Sequence, residues 1–319
     1  MLFWWIVIFI VSLAVLIKSA DWFTESAEKI GKAMYISPFV IGVTIVSVGT
    51  SLPELATGIL GIFRGDTTIA IANAIGSNIA NILLVAGISA IVAGTLKVTR
   101  NLIDIDLPLL LGATFLVAIM MMDGTFVWQE GVIAIAFYVV YSIYTIRSSE
   151  KQDNVPFVNR FRLERKVTKF KVPWPALLFL GLGAIGVYFG ADWTVKSILK
   201  IAEILHLNSS AIVMSALAVG TSLPELVVSA TAAFRGRHEV ALGNVFGSNI
   251  FNMLMVIGIP SLFTTLTVDS PTLTIGIPVL LAVTALYVFS GISQRIHKWE
   301  GFLYVFIYGV FLIKLFAIF

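Results

Sequence analysis

Thr50 and Glu54 stand four residues apart, and so do Thr221 and Glu225. At that spacing a hydroxyl and a carboxylate share one helix face. Pro53 and Pro224 come just before the two glutamates. Proline donates no backbone hydrogen bond and clashes with the preceding turn, so it frees carbonyls about one turn upstream, around residues 49–50 and 220–221. Downstream, Ser77 and Asn81 repeat the spacing of four, with Ser248 and Asn252 as their counterparts. All of these groups offer oxygen, and none offers sulfur or imidazole. Hard cations such as Na+ and Ca2+ take oxygen ligands, about 6–8 of them for Ca2+. Two facing carboxylates repel each other, and a divalent cation cancels that charge. Several Na+ ions, or protons on Glu54 and Glu225, could take its place. Competition of that kind is the physical basis of antiport.

The elements that must position these groups are apolar and duplicated. The eight letters VGTSLPEL run from 48 to 55 and again from 219 to 226. Adding 171 to a residue number carries the first copy onto the second without a gap, with 21 identities in the 40 positions from 49 to 88. The shared letters include Asn, Ser, Pro and Glu, which chance similarity between apolar segments would not supply. Ten candidate spans lie near 2–18, 36–63, 67–93, 105–122, 126–146, 174–196, 208–234, 238–264, 273–291 and 300–318, several approaching the ~20 apolar residues that cross a bilayer. Five spans per half is an odd number, so the second half enters the membrane upside down. The expected fold is an all-α polytopic membrane protein of ten transmembrane helices in two inverted five-helix repeats. Its halves are 1–146 (core motif 43–88) and 173–319 (core motif 214–259), joined by the linker 147–172. Inverted repeats of this kind belong to secondary transporters, whose sites sit near the midplane where broken helices meet.

Composition fits this class. The chain has 319 residues, of which 58% are hydrophobic and 12% charged, with a mean hydropathy of +0.98. A soluble domain carries roughly 25% charged residues. No cysteine is present, which removes disulfide frameworks and thiolate metal sites. The linker is basic, and with it on the cytoplasmic side 17 of the 21 Lys and Arg fall inside. The positive-inside rule then puts both termini outside, in a plasma (cell inner) membrane. The first apolar run lacks a basic leader and has a mid-chain counterpart, so it reads as a retained helix rather than a signal peptide.

The remaining polar residues read as structure or surface. Asn73 and Asn244 suit hydrogen bonds between helices, and Asn78 and Asn249 sit one step round the helix, fitting either role. Gly76, Gly87, Gly247 and Gly258 suit tight helix contacts. Asp21 and Asp192 fall near span ends as water-facing charges, and Asp104, Asp106, Asp123 and Glu130 flank loops. His206, His238 and His297 lie at span ends without ligand spacing.

The paired GTSLPE and GSNI-x-N segments resemble the two α-repeats of the calcium/cation antiporter superfamily, and most closely prokaryotic sodium/calcium exchangers. The resemblance spans both repeats and the five-plus-five plan. It implies Na+/Ca2+ antiport by alternating access, with Glu54 and Glu225 binding Ca2+ together with Thr50 and Thr221. It implies Na+ sites at Ser51, Ser77 and Asn81, at Ser222, Ser248 and Asn252, and at backbone carbonyls near Ser47 and Ala218. It also implies that the first and sixth spans are long tilted helices sliding past the ion-binding core. Potassium-dependent relatives carry Asp where this chain has Asn252, so K+ co-transport is not expected. The retained GSN segments favour Na+ over H+, leaving Ca2+/H+ exchange, or K+-dependent Na+/Ca2+ exchange, as the alternative. The linker is too short for regulatory calcium-binding domains. A channel, or an intramembrane enzyme built on the glutamate pair, remains a remote alternative. The expected partners are Ca2+, Na+ and membrane lipid, with no cofactor, no nucleic acid and no obligate protein partner.

Overall fold

The computed structural model describes residues 2–34, 36–97, 106–148, 174–204 and 220–315. Most of the linker 147–172, and the stretch containing Ala218, lie outside the described residues. The helices are α1 (Leu2–Ala33), α2 (Pro38–Phe63), α3 (Ile69–Ala93), α4 (Leu107–Met120), α5 (Trp128–Ser148), α6 (Trp174–Ile204), α7 (Leu223–Phe234), α8 (His238–Ser261), α9 (Thr272–Ile292) and α10 (Lys298–Leu315). They fall on the ten expected spans, the first part of the seventh, 208–219, lying outside the described residues, and there is one marked difference. α1 runs 32 residues and α6 31, well past the expected ends at 18 and 196. At 1.5 Å per residue each is about 46–48 Å long, against a hydrocarbon core of ~30 Å. The extension holds because Asp21, Glu25 and Lys29 continue the helical period, with Glu25 and Lys29 pairing at 2.7 Å.

Burial separates a core from a periphery. The apolar window of α8 is 94% buried and that of α3 72%, whereas α1 reaches 17%, α5 22% and α6 28%. α1 and α6 pack on each other more extensively than any other two helices. Glycine permits the close approach: a Cβ on Gly190 would come 2.8 Å from the Leu16 Cα, and one on Gly183 2.8 Å from the Phe23 backbone nitrogen. In the core α2 crosses α8 where a Cβ on Gly42 would meet the Gly243 Cα at 2.8 Å. Gly247 abuts Ser47 and Val43, Gly87 abuts Gly301, and Gly258 faces Gly131. At Gly76 a Cβ would meet nothing within 4 Å, so it is not a tight helix contact among the described residues.

Two short strand pairs record the inverted symmetry. β1 (Thr95–Lys97), after α3, pairs antiparallel with β4 (Arg295–His297), before α10. β2 (Thr125–Phe126), before α5, pairs with β3 (Leu266–Thr267), after α8. The register Thr95↔His297 becomes Leu266↔Phe126 under the 171-residue offset, and Leu96↔Ile296 becomes Thr267↔Thr125. The two pairs are therefore images of one another, each tying the connections of opposite halves together at one end of the bundle.

Candidate functional site

Two of the site helices are interrupted where their polar residues lie. α3 opens into a π-helical turn at Asn81–Val85 and α8 into another at Asn252–Val256. These turns are related by the repeat offset, and each begins on a site asparagine. A π turn carries one extra residue, which widens the helix and re-aims its neighbours. The proline sites differ between halves. Pro53 lies inside a continuous helix from Ser47 to Phe63. Pro224 lies in the first turn of α7, with Thr221 and Ser222 in a turn before it. The expected break is therefore present in the second half, and the first half keeps its helix.

The side chains of the two halves interleave. Glu54 and Glu225 are both fully buried. Glu225 Oε1 accepts a hydrogen bond from Ser51 Oγ at 3.0 Å. Thr50 Oγ1 sits 3.5 Å from Ser248 Oγ, and Ser77 Oγ sits 3.5 Å from Thr221 Oγ1. Thr50 also lies 3.2 Å from both the Ser47 carbonyl and Asn244 Oδ1, so its one proton serves either. The Ser47 hydroxyl donates to the Val43 carbonyl. Asn81, Asn252 and Ser222 are buried among the same helices.

What these groups lack is polar partners within the protein. Both oxygens of Glu54, Oε2 of Glu225, the Ser222 hydroxyl and the amides of Asn81 and Asn252 are buried without one. An unsatisfied buried polar group costs about 1–3 kcal/mol, and more when charged. A cluster of such groups, all bearing oxygen, is complementary to a desolvated hard cation. Above it, Phe23 and Val187 close over Thr50, Pro53 and Pro224, leaving a gap of ≈ 10 Å³. The peripheral pair α1 and α6 thus covers the oxygen cluster. Among the described residues no group of three or more His, Cys, Asp or Glu could hold a metal ion, so a cation here relies on two carboxylates and neutral oxygens.

Several residues take roles the sequence left open or placed elsewhere. Asn244 Nδ2 donates to Ser229 Oγ at 2.8 Å while its oxygen faces Thr50, so it braces the site from behind. Asn73 Nδ2 reaches the Glu54 carbonyl at 3.4 Å. Asn78 Nδ2 donates to the Asn249 carbonyl at 2.9 Å, stitching α3 to α8. Asp21 is not a span-end charge: it lies within α1, its side chain is 13% exposed, and it bonds Arg235 at 3.1 Å. Asp106 does not flank a loop in water either. It is buried at the start of α4 and accepts from the Tyr141 hydroxyl on α5 at 3.3 Å. Asp123 and Glu130 do serve turns, accepting from the Thr125 and Val127 backbone N–H groups. Ser229 was missed altogether, its only sequence signal being a helical position four after Glu225. Asp104, His206 and Ala218 lie outside the described residues.

Comparison with known proteins agrees with this fold. The profile of the sodium/calcium exchanger protein family matches residues 4–147 and 175–317. The sodium/calcium exchanger MaX1 of Methanosarcina acetivorans is 30% identical over 350 residues, covering 98% of each chain. The inner membrane protein YrbG of Escherichia coli K12 is 29% identical over 281 residues, covering 87% of this chain and 86% of its own. A solved structure of the sodium-calcium exchanger NCX_Mj, soaked with 2.5 mM Na+ and 0.1 mM Ca2+, superposes with a TM-score of 0.81 at 32% identity and 99% coverage of both chains.

Proposed function

Because the chain belongs to the sodium/calcium exchanger protein family, we propose that Glu54 and Glu225 form the one site at which its ions compete. The protein is a multi-pass membrane transporter, a secondary active antiporter that exchanges Na+ for Ca2+ by alternating access, and not an enzyme. The observation that carries the site is the burial of both carboxylates, one from each half, with three of their four oxygens unpartnered. In this reading Ca2+ lies between Glu54 and Glu225 and takes further oxygen from Thr50 and Thr221. Na+ ions take the flanking positions at Ser51, Ser77 and Asn81, and at Ser222, Ser248 and Asn252, with main-chain oxygen from Ser47 and Ala218. Ca2+ brings two charges to two carboxylates, whereas Na+ must bind in several copies to match it.

The finer organisation belongs to the same proposal. Residues 1–146 and 173–319 act as the inverted halves, with the core motifs 43–88 and 214–259 holding the ions. The linker 147–172 faces the cytoplasm, and both termini face outward across the cell inner membrane. In reconstituted vesicles Glu54→Gln and Glu225→Gln are each expected to abolish Ca2+ flux while the protein stays folded and membrane-inserted. Retained exchange in either variant overturns the assignment.

A further inference from the structure

The turn that joins α7 to α8 grips α1. Arg235 Nη2 lies 3.1 Å from Asp21 Oδ2, Arg237 Nε lies 3.3 Å from Glu28 Oε2, and Arg237 Nη1 donates to Thr24 Oγ1 at 3.2 Å. The repeat offset carries Asp21 onto Asp192 of α6, and Arg235 onto Arg64 of the turn between α2 and α3. At that opposite end of the bundle the equivalent pair is not made. Asp192 bonds Lys196 of its own helix at 2.6 Å, and among the described residues no ion pair reaches the Arg64 guanidinium. Backbone packing follows the same asymmetry, since α1 packs on α7 far more closely than α6 packs on α2. An inverted repeat reaches its other conformation by letting each half adopt the arrangement of its twin.

We propose that Asp21–Arg235 and Asp192–Arg64 are alternative latches, one closed in each of the two access states of the exchanger. In the state described here α1 is latched to the α7–α8 turn and α6 is free of the α2–α3 turn. In the other, α1 lets go and Asp192 turns from Lys196 to Arg64. The latches are unequal. Glu28, Thr24 and Arg237 map onto Leu199, Val195 and Asp66, so the second latch has a single ion pair, and Asp66 instead accepts from Thr68 within its own turn. The extra contacts bias the resting exchanger toward the state with α1 held.

The proposal rests on alternating access, but its test is separate from transport. Because the chain has no cysteine, one introduced thiol reports alone. Ala230 lines the cleft of ≈ 720 Å³ whose rim carries Asp21 and Arg235, and Ile59 is its counterpart in the first half. Maleimide labelling of Ala230→Cys and Ile59→Cys is measured on purified protein without an ion gradient. Asp21→Asn or Arg235→Gln is expected to raise labelling at Ala230→Cys about two- to fivefold and to lower it at Ile59→Cys, as the loss of a partly exposed ion pair implies. Arg64→Gln is expected to shift both reporters the other way, and the swap Asp21→Arg with Arg235→Asp to restore the original rates. Reporters that move together, that do not move, or that the swap leaves shifted overturn the latch. A chain that failed to exchange Na+ for Ca2+ would show it in flux instead, leaving the two failures distinguishable.

Discussion

At the scale of the residue, the proposed site is a competition written in oxygen. In that proposal its two charges come from Glu54 and Glu225, and its neutral groups from Thr, Ser and Asn. Because Asn stands at both 81 and 252, the cluster holds two carboxylates and no third. Exchange is therefore expected to run with K+ absent from both sides, and a strict K+ requirement in a flux assay would contradict the two-carboxylate site. Ser51 tests the geometry more finely, since it donates across the halves to Glu225. A hydrogen bond to a charged group is worth about 1.5–3 kcal/mol. Ser51→Ala is expected to weaken apparent Na+ affinity by at least about tenfold in a titration of Na+-driven exchange, and an unchanged affinity would detach Ser51 from the site. These residue types and spacings were legible in the sequence because they occur twice at one offset. The pairings were not: that Ser51 bonds Glu225 rather than its own Glu54, or that Asn244 leans on Ser229, depends on how the halves interleave.

At the scale of the element, what decides function is where helices are interrupted and how close they come. The prolines flagged two such places, yet only Pro224 starts a helix while Pro53 stays inside one. The π turns at Asn81–Val85 and Asn252–Val256 carry no comparable letter. They arise where packing tolerates one extra residue, so no local propensity announces them. The reach of α1 to Ala33 was hidden for a related reason: Asp21 reads as the end of an apolar span until its partner Arg235, 214 residues away, is in view. Glycines behave more predictably. The α2–α8 crossing brings Gly42 against Gly243, and side chains there would force the core helices apart. Overpacking of this kind costs typically 1–3 kcal/mol. Gly243→Val is expected to lower the midpoint of thermal unfolding, whereas Gly76→Ala, with open space around it, is expected to leave it unchanged. Equal effects at both positions would contradict the described crossing.

At the scale of the whole molecule, the inverted duplication makes one site reachable from two sides. The offset of 171 predicted the five-plus-five plan, and the mirrored strand registers carry the same relation into three dimensions. Absolute orientation is a separate matter, argued from the basic linker. A thiol placed at Lys151 is expected to be protected from an impermeant maleimide in intact cells and labelled in everted vesicles, and the reverse pattern would invert the topology. The central claim is that Na+ and Ca2+ displace one another at Glu54 and Glu225, and reconstituted vesicles test it most directly. Vesicles loaded with Na+ and diluted into Na+-free medium should accumulate Ca2+, and collapsing the Na+ gradient should stop it whether or not a pH gradient is present. Uptake that ignores Na+ and follows the pH gradient would contradict the account.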